Sequence, residues 1–127
     1  MDRLAARHAD GWAPAWPNRA QALVPRIADI DVACRTVGRD PMTLERAMGV
    51  MVDLPGRGPT VDRASDAPLT GSAAEIAAEL RACADLGIAG AQIWLDPLDL
   101  AGVEAFAPVL ELLGPAAADA REDALPE

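Results

Sequence analysis

The sequence has no lysine and no tyrosine, one histidine, one phenylalanine and two cysteines in 127 residues. Each shortage removes a class of chemistry. Without lysine there is no Schiff-base amine and no Walker-type phosphate loop. A single histidine, His8, excludes a histidine-rich metal site and leaves a histidine-based triad without footing. Two cysteines do not make a disulfide framework. Cys34 and Cys83 both fall in helical patterns and read as small buried hydrophobes in a reducing, cytoplasmic compartment. No apolar run approaches the roughly 20 residues of a membrane span. Arg3 and Arg7 are not followed by a continuous apolar segment, so no secretory leader is expected. Positive charge is also scarce. All eleven basic residues are arginines, set against twenty acidic ones, and the net charge is −9. No basic cluster appears, which argues against nucleic acid and anionic membranes as partners.

What is present is enough for one domain with a core: 51% of the residues are hydrophobic. Leu4 to Ala9 reads as the end of a helix, and Asp10-Gly11-Trp12 as a short strand. Ala20, Leu23, Val24, Ile27, Ile30, Cys34 and Val37 form a helical stripe. Pro17 and Asn18 mark its start, Gly38 and Pro41 its stop, and Pro25 lies in its first turns or kinks it. Within Leu44–Leu54, both alternating sets are apolar or small, which suits a strand buried on both faces. Residues 55–70 carry Pro, Gly and Asp without a period and read as a loop.

Ser72 and Glu75 form a capping box ahead of a stripe of Ala73, Ile76, Ala77, Leu80 and Cys83. Gly87 supplies a left-handed stop. Ala91 to Leu95 is a short strand ended by Asp96 and Pro97. A last helix follows, with Val103, Phe106, Leu110 and Leu113 facing inward. Residues 115–127 are acidic and read as a disordered tail, leaving 1–114 as the domain. Strand and helix alternate with short connections, which predicts a parallel sheet of consecutive β/α units. Three such units close nothing; a (β/α)8 barrel takes about 250 residues.

Three stretches together carry a family resemblance: "LAARHADGW", "GRDPMTLERAMGVMVDLPG" and "GSAAEIAAELRACADLGIAGAQIWLDP". In this order and spacing they resemble the C-terminal portion of the bacterial luciferase-like monooxygenases. The resemblance spans Leu4 to about Leu113. It implies an α/β fold made of the C-terminal βα units of a TIM-like (β/α)8 barrel, incomplete in this chain. It implies flavin mononucleotide or a deazaflavin coenzyme as cofactor. The complete barrel would carry out monooxygenation or hydride transfer on a small organic substrate. The family's earlier strands, its glycine-rich turn and its N-terminal active-site residues have no counterpart here, so the chain alone is expected to be inactive and to bind the cofactor poorly or not at all. The competing reading is a non-catalytic α/β remnant or subunit, associating as a homo-oligomer through open sheet edges.

Barrels of this kind place function at the C-terminal ends of strands. Asp10, Gly11, Trp12 and Trp94 are therefore the candidate cofactor-binding residues. Either tryptophan could line a ring pocket or fill the core. Asp10 and Asp96 read otherwise as capping or turn residues. His8 lies on a helix flank and reads as solvated. Arg57 and Arg63 follow the second strand, where a guanidinium could meet a cofactor phosphate or simply face solvent. No residue is assigned a catalytic role, and no metal ligand is expected.

Overall fold

The computed structural model describes residues 2–54 and 67–114. Its elements alternate as the sequence predicts: α1 (Asp2–His8), β1 (Gly11–Trp12), α2 (Ala20–Thr36), a 3₁₀ turn (Pro41–Thr43), β2 (Glu45–Asp53), α3 (Ala73–Asp85), β3 (Gly90–Asp96) and α4 (Leu100–Leu113). The three strands form one sheet in the order β1-β2-β3, and both pairings are parallel. β1 touches only the foot of β2, with Gly11 opposite Glu45 and Trp12 opposite Arg46. β3 runs beside β2 from Ala47 opposite Gly90 to Asp53 opposite Asp96. The expected tail at 115–127 and most of the expected loop lie outside the described residues. The end of that loop continues the sheet edge, where Leu69 bridges Val52 in parallel.

The helix ends follow their caps. After α2, Gly38 has φ +79°, and Gly38 and Arg39 donate to the carbonyls of Arg35 and Cys34. After α3, Gly87 has φ +97°, and Gly87 and Ile88 donate to Ala84 and Cys83. Both are paired-bond left-handed stops that satisfy carbonyls otherwise left over. Ser72 caps α3 by accepting from the Glu75 N–H at 3.2 Å. The start of α2 has no side-chain cap of its own. Glu79 of α3 supplies one instead, its Oε1 accepting from Ala20 N–H at 2.7 Å.

Consecutive parallel strands with right-handed crossovers put the described helices on one face of the sheet. The core shows this. Met48, Val50 and Val52 of β2 and Leu95 of β3 pack with Leu23 of α2, with Ile76, Ala77, Leu80 and Cys83 of α3, and with Phe106 and Val109 of α4. A second cluster joins Ala6 of α1 to Ile30, Ala33 and Cys34 of α2. Both cysteines are free and buried.

Three expectations are corrected. β2 is not buried equally on both faces. Met48, Val50 and Val52 are buried, whereas Ala47, Gly49 and Met51 are half-covered, because among the described residues no helix lies over them. The inward line of α4 is Gly102, Phe106 and Val109, while Val103 and Leu110 are exposed. The cause is a close approach: a Cβ at Gly102 would overlap the Pro97 carbonyl oxygen, so this side of the first turn must face the sheet. In α2, Val24 likewise points outward.

Candidate ligand-facing surface at the strand ends

The helix-free face is built from alternate residues of two strands. Side chains alternate across a strand, and residues paired in register point the same way. Gly49, Met51 and Asp53 of β2 therefore share this face with their partners Gln92, Trp94 and Asp96 of β3.

The loop after β1 adds a third contributor. Trp16 has φ +39° and Asn18 φ +62°, both left-handed and uncommon outside glycine. Asn18 is fully buried, and its Oδ1 accepts from Met51 N–H at 2.8 Å. Its amide nitrogen donates to the Ala67 carbonyl at 3.5 Å. The side chain thus completes the edge of β2 above the point where β1 stops. This anchor swings Trp16 over Gly49, where an added Cβ would lie 2.9 Å from the ring. Glycine inside a strand here marks a close approach. The Trp16 and Trp94 rings then meet edge-to-face, with centroids 6.0 Å apart and planes at 86°. Trp94 stays 49% exposed, so much of its ring remains open to a ligand.

Above this pair, Asp53 stands opposite Asp96. Asp53 is 8% exposed, and its shielded Oδ1 has no hydrogen-bond partner. Among the described residues, no group of three or more His, Cys, Asp or Glu side chains could hold a metal.

The four residues singled out in the sequence do not converge. Trp12 pairs with Arg46, hence faces the helix side, where it packs against the α1–α2 cluster. Trp94 is on the opposite face, level with Met51. Those levels are five residues of β2 apart, roughly 16 Å at about 3.3 Å per residue. Gly11 is at the foot beside Glu45, and Asp10 is exposed, its carbonyl accepting from Glu45 N–H. His8 is exposed and lines a polar cleft at the foot with Asp10 and Arg39. Arg57 and Arg63 lie outside the described residues.

Three of the residues that do converge were not chosen from the sequence: Trp16, Asn18 and Gly49; Asp53 ends the second strand, one of the strand ends where the sequence places function. A glycine in the middle of an apolar strand, with a Trp-Pro-Asn turn upstream, was the available signal.

Cys83 is chemically quiet. Burial, and then the negative charge of Glu79, push its thiol from 9.0 up to about 11, so the nucleophilic thiolate is scarce at neutral pH. It borders an apolar cleft of about 380 Å³ between α3, α4 and the foot of β3. Among the described residues no helix is long and apolar enough to cross a membrane. No family model matches the chain, and no curated protein matches its sequence.

Proposed function

We propose that this chain forms one wall of a flavin- or deazaflavin-dependent oxidoreductase barrel, of the luciferase-like kind that its sequence resembles. The observation that supports this reading most is the one-sided helical cover of a consecutive parallel sheet. In a doubly wound sheet helices cover both faces; in a β/α barrel they cover only the outer one. The face left bare would be the barrel interior. It carries the Trp16–Trp94 pair near the C-terminal strand ends. Flat apolar rings there suit an isoalloxazine or deazaflavin ring system. The cofactor would supply the redox chemistry, and these residues would seat and shield it. In this reading Trp94 is the cofactor-facing residue, and Asp10, Gly11 and Trp12 belong to the supporting foot. Further strands would be needed to complete the site and bind a small organic substrate.

Fluorescence titration of the chain with flavin mononucleotide and with the deazaflavin coenzyme tests the reading. The expected result is no turnover and only weak, millimolar quenching, which disappears in Trp94→Ala. Saturable binding at micromolar concentration would contradict the one-wall account. Quenching that does not depend on Trp94 would contradict the assignment of the face.

A second reading has its own observation. Among the described residues β3 pairs on one side only, and Gly90 to Leu95 of this edge carry no charge and no proline. Edges are normally protected by such residues, so this one suits strand addition. Under this reading the chain is a non-catalytic subunit that forms a homo-oligomer through β3. Sedimentation at several concentrations separates the two: a concentration-dependent oligomer supports edge pairing, and a monomer removes it.

A further inference from the structure

The helix-free face rises from the foot in paired rows: Ala47 with Gly90, Gly49 with Gln92, Met51 with Trp94 and Asp53 with Asp96. Among these strand residues Gln92 is the one side-chain amide; the others are small, apolar or acidic. Gln92 is exposed, although its sequence neighbours Ala91 and Ile93 are apolar. Its row partner Gly49 has no side chain, and the Trp16 ring lies over that glycine. Two residues along a strand span about 6.6 Å and return to the same face. The Gln92 carboxamide is therefore rooted one row below the half-exposed Trp94 ring, on the level of the Trp16 ring that meets it edge-to-face.

A fused three-ring system laid on Trp94 is longer than this step, so one of its edges reaches the row of Gln92. A polar ring edge taken out of water needs hydrogen-bond partners. The tryptophans offer only an N–H, and the Met51 sulfur is a weak acceptor. A carboxamide supplies a donor and an acceptor in one plane. The pyrimidine edge of flavin and deazaflavin rings presents an N–H between two carbonyls. One carboxamide meets such an edge with two bonds, donating to a carbonyl and accepting from the N–H. Ligand sites commonly combine apolar walls with a few polar groups of this kind, which fix orientation.

We propose that Gln92 recognises the pyrimidine edge of the ring and so sets which way the ring lies on Trp94. The pyrimidine end points toward the foot and the benzenoid end toward the C-terminal strand ends. This rests on the reading of the face as cofactor-binding, and adds to it a direction and a preference for rings with an imide edge.

Flavin mononucleotide and its N3-methyl derivative, titrated separately into the full chain, test the assignment. Methylation removes the N–H that the Gln92 carbonyl oxygen accepts from and keeps the stacking surface. The methylated ring should bind about fivefold more weakly, the size of one lost hydrogen bond. In Gln92→Ala the two flavins should bind alike, because the interacting pair is gone. The chain has three side-chain amides, Asn18, Gln21 and Gln92. Gln21 is exposed on α2, on the helix side of the sheet, and serves as a control. The Gln92 side-chain NH2 signals should move along the same binding curve as the Trp94 indole N–H, while those of Gln21 stay in place. Both readings on the parent chain need no variant to fold. If Trp94 moves and the Gln92 amide does not, or if the parent binds the two flavins alike, the assignment to Gln92 is overturned while the face remains the cofactor's. A fivefold preference that persists in Gln92→Ala also overturns it. If neither Trp94 nor Gln92 moves, the reading of the face fails, and the proposal fails with it.

Discussion

The foot and the top of the sheet treat their polar groups in opposite ways. At the foot, Arg39 donates to the carbonyls of Ala6 and Ala9, at 3.2 and 2.6 Å, and to Thr43 Oγ1 and its carbonyl. One guanidinium thus ties the end of α1 to the entry of β2, a favourable place for a cation. Arg46 is buried on the helix side of β2 and pairs with Asp31 of α2, with the Pro41 carbonyl as a further acceptor. At the top, two non-glycine residues take left-handed backbone, an indole stays half-exposed and a carboxylate oxygen is unpaired. Local strain and unmet polar groups cluster where proteins work, and satisfied networks cluster where they are held together. The foot accordingly reads as the stabilising end and the top as the working end.

This contrast predicts unequal mutational costs. Arg46→Ala leaves Asp31 without its partner in a partly buried site. The expected loss is about 3 kcal/mol, the low end for a broken buried pair because Asp31 keeps some exposure. It is read from the denaturant midpoint. Asn18→Ala leaves the Met51 N–H without an acceptor and puts an unsuited residue in left-handed backbone. About 2 kcal/mol is expected, with a change in the near-ultraviolet dichroism of the Trp16–Trp94 pair that Arg46→Ala does not produce. Equal spectral changes from both would erase the distinction between the ends. Ser72→Ala removes a cap remote from either and should cost about 1 kcal/mol; an unchanged midpoint would mean that Ser72 does not hold α3.

The smallest effect is a pH slope. The folded Cys83 thiol titrates near 11 and the unfolded one near 9.0. The unfolded chain therefore releases its proton first as pH rises. The thiol's contribution is whole below pH 9 and is lost between 9 and 11. Cys83→Ala should flatten stability over that window, whatever its cost at pH 7.

Much of this architecture was legible in local chemistry. Ser72, Gly38 and Gly87 announce helix ends because capping needs those residue types at those places. The parallel order followed from alternation and short crossovers. The choice among tryptophans was not legible. β1 has only two residues, too few for alternation to assign a face, so Trp12 looked as eligible as Trp94. Its direction comes from pairing with Arg46, a contact set by the fold rather than by neighbours in sequence. Trp16 reaches Trp94 only because Asn18 is anchored to Met51, 33 residues along the chain. The facing of α4 was misjudged for a similar reason. Periodicity allowed Val103 and Leu110 to point inward, and the Gly102–Pro97 approach selected the line of Phe106 and Val109 instead.

The central claim is that the helix-free face, and not the β1 foot, meets the cofactor. The three tryptophans report on it separately. Trp16 and Trp94 lie on that face, and Trp12 on the other. The most direct measurement follows the three indole N–H signals by nuclear magnetic resonance while flavin mononucleotide, and then the deazaflavin coenzyme, is added to millimolar concentration. The account predicts that the Trp94 and Trp16 signals move together along one binding curve while Trp12 stays in place. Movement of Trp12 with Trp94 and Trp16 unchanged, or no movement of any of the three, would contradict it.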